Sequence, residues 1–148
     1  MKSWFFLIVT WLFVLVLGGF DILAPDAWWI NVDRMMVSDA KVGEAPSVSV
    51  DMKFSKRFVA HWHATIRQAR SLQEGDFVGV CFTDGEAQMS PERKFPAKID
   101  IDWWMNPTKC HLGEGAYYVE TIFRWDTKLS TRTHVVTSNM FRVVADSR

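Results

Sequence analysis

Apolar and polar positions change period along this chain. Trp4 to Phe20 (WFFLIVTWLFVLVLGGF) is a seventeen-residue run without a charge. A helix of that length measures about 25 Å, at the short end of what spans a bilayer. Lys2 precedes the run, while Asp21 and Asp26 follow it. Orientation follows the basic residues, which predicts a cytoplasmic N-terminus and the rest of the chain outside, periplasmic or extracellular. Trp28-Trp29 then suits the headgroup level, where interfacial tryptophans gather. A cleaved signal peptide is the rival reading of residues 1–23. Its n-region has one lysine, its apolar run is long, and Leu23-Ala24-Pro25 puts proline where cleavage is disfavoured. Both readings send the remainder to the same side.

Residues 24–45 mix Pro25, Gly43 and scattered charge, and read as a linker with at most a helical turn or two between Val32 and Val42. From residue 46 the period becomes two. Val48, Val50, Met52 and Phe54 alternate with Ser47, Ser49, Asp51 and Lys53, which predicts a half-buried strand. Phe58 to Arg67 repeats the pattern with Ala60, Trp62, Ala64 and Ile66 on one face. Phe77 to Phe82, Ile99 to Trp104, Ala116 to Trp125 and His134 to Val144 supply further strands, and 83–96 reads as a long loop. Six or seven short strands between turn signals predict an antiparallel β-sandwich over 46–148.

The segment Leu112-Gly113-Glu114-Gly115-Ala116-Tyr117, followed by Val119, resembles the approach to the penultimate strand of immunoglobulin-like and fibronectin type III-like domains. There a Gly-x-Tyr leads the strand, and the tyrosine hydroxyl ties a corner back to the backbone. Trp62 on an early strand and the closing Ser138-Asn139-Met140-Phe141-Arg142-Val143 are similar in kind. The resemblance spans residues 46 to 145 and implies an immunoglobulin-like β-sandwich, without implying a function. The chain departs from true immunoglobulin domains at Val119, where the second core cysteine would stand.

Composition narrows the function classes. The 148 residues carry 17 basic and 17 acidic side chains and no basic patch, which argues against a nucleic-acid partner. Two cysteines, Cys81 and Cys110, read as a disulfide in a domain outside the cytoplasm. Catalytic signatures such as G-x-S-x-G, H-E-x-x-H, C-x-x-C and a Gly-rich phosphate loop do not occur. No enzyme and no cofactor is therefore expected.

Three features carry candidate chemistry. His61 and His63 stand two apart, so on a strand they share a face about 7 Å apart, a spacing that places two imidazoles on one copper or zinc ion. Asp100 and Asp102 also share a face and read as solubilising charges. In Trp103-Trp104 parity assigns Trp103 to the core with Ile99 and Ile101, and turns Trp104 outward as a contact residue. Trp104, Phe95 and Arg93, with the 83–96 loop, form the predicted binding surface.

The expectation is an all-β, immunoglobulin-like β-sandwich behind one N-terminal transmembrane helix, acting as an interaction module for a protein partner in a cell envelope. The alternatives are a metal-handling envelope protein using His61 and His63, and a phage-encoded envelope or lysis accessory protein.

Overall fold

Strand alternation decides most of the architecture. In the computed structural model, described over residues 2–14, 16, 24–71, 75–96, 98–106 and 110–145, nine strands form two sheets. They are β1 (Ile30–Val37), β2 (Ala40–Lys41), β3 (Ser47–Phe54), β4 (Phe58–Ser71), β5 (Asp76–Met89), β6 (Ile99–Asp100), β7 (Gly115–Asp126), β8 (Thr131–Thr137) and β9 (Phe141–Val144). The smaller sheet has the order β1-β3-β6. The larger has the order β2-β9-β7-β4-β5, with β8 also paired to β7. All pairings are antiparallel except that of β2 with β9. The domain is all-β.

Alternate side chains of both sheets meet in one core. Val48, Val50, Met52 and Phe54 come from β3, and Ala60, Ala64 and Ile66 from β4. Strand β7 contributes Tyr117, Val119, Thr121, Phe123 and Trp125, all buried. Aromatic contacts stitch the layers: Trp29 lies 6.3 Å from Trp125, and Phe54 lies 6.0 Å from Phe58.

Several elements differ from the sequence expectation. Residues 30–37, read as linker, form β1. Its pairing with β3 slips between Val32 and Arg34, so Ile30 is buried on one parity and Met35 and Val37 on the other. A bulge of this kind erases the period of two that marks a strand. Strand β5 runs through the first half of the expected 83–96 loop. Of its inward positions there, Thr83, Gly85 and Ala87 are too small or polar to announce a core face, and Met89 alone is large and apolar. The expected closing strand is two, β8 and β9, because the chain changes course at Ser138–Met140. There Ser138 N–H donates to the Val119 carbonyl, and Val119 N–H donates to Ser138 Oγ.

The expected strand through Trp104 also ends early. After Ile99–Asp100 the chain turns into a short helix, α2 (Ile101–Trp104), and Met105 N–H donates to the Ile101 carbonyl at 2.8 Å. Ile101, Trp104 and Met105 are buried, a spacing of three and four rather than two.

At the N-terminus, α1 (Lys2–Val14) is apolar and its side chains from Trp4 onward are exposed on every face. Among the described residues no helix is long and apolar enough to cross a membrane. Residues 15 and 17–20, the remainder of the predicted span, lie outside the described residues. The domain proper begins at Ala24, which is buried, and at a 3-10 turn over Asp26–Trp28.

The predicted disulfide is present. Cys81 on β5 bonds to Cys110, ahead of β7, with Cα atoms 6.0 Å apart. The bond closes a loop of 29 residues, which on the chain-entropy model stabilises the fold by roughly 3–4 kcal/mol. Urea unfolding with and without a reductant measures this. A drop of that size is expected on reduction, and an unchanged midpoint would show that the bond adds nothing to the native state.

Candidate functional site

A cleft of about 290 Å³ opens beside the edge strand β5, between the two sheets. Its apolar lining includes Met52, Trp62, Met89, Phe95, Trp103 and Trp104. Glu86, Arg93, Asn106 and Thr121 supply the polar groups.

Each wall follows from local sequence. Trp62 faces Gly85 across the β4–β5 pair. A Cβ at residue 85 would stand 2.8 Å from the indole Cζ2, so glycine is what lets the ring lie flat on the neighbouring strand. Phe95 is the hub of the opposite wall. Its ring lies 6.0 Å from Phe54, 6.3 Å from Trp104 and 6.5 Å from Trp103, at tilted or edge-on angles. Such geometries suit the ring quadrupoles. Arg93 arches over Phe95, with its guanidinium carbon 5.3 Å from the ring centre, and Nη1 donates to the Gln88 carbonyl at 3.0 Å. This contact adds a cation–π attraction to the packing.

The predicted binding trio Arg93, Phe95 and Trp104 is thus brought together in one cleft. The orientation of the tryptophan pair is the reverse of the expectation. Trp104 is 8% exposed and Trp103 is 51% exposed. Helix α2 is the cause, since strand parity no longer applies to its residues. Trp104 Nε1–H donates to Thr121 Oγ1 at 3.1 Å, which satisfies the buried indole. Trp103 takes the exposed position at the mouth. Trp62, Trp103 and Asn106 are cleft residues that sequence reasoning did not assign. The clue for Trp62 was its pairing with a strand glycine, which only the register reveals.

His61 and His63 do lie on one outward face of β4. Opposite them in register stand Glu86 and Asp84. The side chains are engaged locally rather than converging. His61 Nδ1 lies 3.3 Å from Glu86 Oε2, and His63 Nε2 is 3.1 Å from Thr65 Oγ1. His63 also stacks on Phe82, with centroids 6.4 Å apart. Among the described residues no group of three or more His, Cys, Asp or Glu side chains is placed to hold a metal ion. The two rings turn to separate neighbours, Glu86 and Thr65, instead of to a common centre. Asp100 and Asp102 do not share a strand face, because Asp102 belongs to α2.

Close to the cleft, Glu92 pairs with Arg57 at 2.7 Å. The Arg57 hydrogen bond, with bonds from its own backbone amide and Ser90, lowers the Glu92 carboxyl from 4.5 to about 2.

Compared with known protein families, curated proteins and solved structures, the chain matches none.

Two outcomes follow. Gly85→Ala should destabilise the domain by about 1–3 kcal/mol through overpacking against Trp62, read as a lower urea midpoint. Full stability would mean that the ring moves freely. The Glu92 carboxyl is lowered, so its contribution is present above pH 4.5 and is lost as pH falls toward about 2. Both partners are exposed, so the effect is small. Glu92→Gln should flatten the stability-versus-pH curve in that window alone, and an unchanged slope would exclude the pair as its source.

Proposed function

We propose that this protein is a membrane-tethered, immunoglobulin-like binding module that presents the aromatic cleft to a protein partner outside the cytoplasm. The strand order supports the immunoglobulin-like reading. Three strands face a larger sheet, and the chain passes from one sheet to the other between β1 and β2. The Tyr117 hydroxyl donates to the Gly113 carbonyl at 2.9 Å, a corner of the kind found at the start of the penultimate strand in such domains.

The apolar helix supports the tether. An all-round apolar surface suits lipid far better than water. Thr10, the hydroxyl within the run from Trp4 to Val14, donates to the Phe6 carbonyl at 2.8 Å, so its own polar group is met without water. The disulfide fits an oxidising compartment.

The observation that carries the binding role is the convergence of Trp62, Phe95, Trp103 and Arg93 on one open cleft. Tryptophan and arginine are the side chains that most often anchor protein contacts, and a half-exposed tryptophan at a cleft mouth has little other structural reason. The cleft volume matches one bulky side chain of a partner better than a drug-sized ligand.

The test uses the full chain in intact cells. A photocrosslinker at exposed Asn106 should capture a partner, and Trp103→Ala with Phe95→Ala should weaken capture by roughly 30-fold. An impermeant maleimide should label Cys81 and Cys110 only after reduction. Unaltered capture by the double variant removes the cleft from the proposal, and labelling that requires broken membranes removes the location.

A further inference from the structure

We propose that the pole of the domain at which the chain enters docks on anionic lipid headgroups, orienting the cleft relative to the bilayer; this rests on the proposed membrane tether. Strand register defines the two poles. Strands β1, β4 and β8 start, and β3, β5 and β7 finish, at the pole holding Ala24. Arg132 fixes it there: Nη1 donates to the Ala24 carbonyl at 2.6 Å and to Asp26 Oδ1 at 2.9 Å. Ser55 N–H donates to the Trp29 carbonyl, which brings the β3–β4 turn alongside. The β7–β8 turn, 127–130, completes the surface.

This pole has the composition of a membrane contact. Trp28 is exposed, and Lys56 Nζ lies 5.6 Å from its ring centre and 4.5 Å from that of Trp29. Leu129 is exposed at the tip of the β7–β8 turn, beside exposed Lys128. Arg57 pairs with Glu92 and Arg132 with Asp26. Among the described residues Lys56, Lys94 and Lys128 then outnumber Asp126. Among the described residues the far pole has the opposite sign, since Asp39, Glu44, Asp76 and Glu114 stand there against Lys41 and Arg142. A molecule so polarised turns its basic end toward an anionic surface.

Geometry brings that end to the bilayer. Val14 ends α1 and Ala24 begins the domain. The ten steps between them reach at most about 35 Å, so a chain anchored through α1 cannot hold its entry pole far from the headgroups. Tryptophan and leucine enter the interface while lysines meet lipid phosphates.

The test reconstitutes the full chain in vesicles of phosphatidylcholine alone and of phosphatidylcholine with phosphatidylglycerol. Flotation after alkaline extraction reports the tether, and hydrogen exchange of backbone amides at 55–57 and 127–130 reports docking. Each lysine at an anionic surface strengthens docking roughly fivefold. Exchange at both turns should slow in the phosphatidylglycerol vesicles, and Lys94→Glu with Lys128→Glu, both exposed positions, should abolish the slowing. Flotation with equal exchange in the two lipids overturns the docking and leaves the tether standing. Slowing that ignores lipid charge or survives the double variant overturns the anionic preference. Loss of flotation removes the tether, and the docking with it.

Discussion

The fold depends on the inward face of one strand. Tyr117, Val119, Thr121, Phe123 and Trp125 of β7 are all buried. They present a continuous wall of aromatic, branched and hydroxyl groups to the smaller sheet. On its backbone edges β7 also holds β4, β8 and β9. Thr121 is the polar exception in that wall, and its hydroxyl accepts the Trp104 indole. The strand that organises the core therefore also fixes the back of the cleft. A change at Thr121 would leave a buried donor unmet, at a cost of about 1–3 kcal/mol.

Alternation was legible where it was uninterrupted. The faces of β3, β4 and β7 could be read from Val48-x-Val50-x-Met52-x-Phe54 and its counterparts, and the cysteine pair from its even count and setting. The misreadings have physical causes. A bulge in β1 moved the buried set from one parity to the other, so eight residues of strand looked aperiodic. In β5 one inward position carries Gly85 because the Trp62 ring on the next strand already fills the space. That information lies in the pairing, not in the segment. Around Trp103-Trp104 the apolar positions fit both a strand and a helical turn. The turn wins because Ile101 N–H donates to the Pro46 carbonyl and the chain then closes on itself.

The cleft shows how a site can be partly readable. Phe95 and Arg93 stood out as a large aromatic and a cation in a long connection, and both line the cleft. Trp62 could be assigned to the core side of its strand but not to an opening, since its ring position depends on Gly85 across the strand pair, which its own segment does not show. His61 and His63 share a face, as their spacing requires, yet a shared face is not a shared centre. Their nearest polar partners are Glu86 across the strand pair and Thr65 along the strand.

Strand β2 lies parallel to β9, joined over the two residue pairs Ala40–Val143 and Lys41–Val144. The chain enters at one pole, and β9 runs toward the other. A pull between the two ends would drag β2 toward the entry pole and β9 away from it, loading their short ladder lengthwise. The Asn139 side chain reinforces this junction. Its amide donates to the Val37 carbonyl at 3.0 Å, and its oxygen accepts from Val37 N–H at 2.7 Å. Asp39 Oδ1 likewise accepts from Arg142 N–H at 2.6 Å. Bonds set across the direction of tension share the load rather than break one at a time, so this junction would oppose a pull between the two ends.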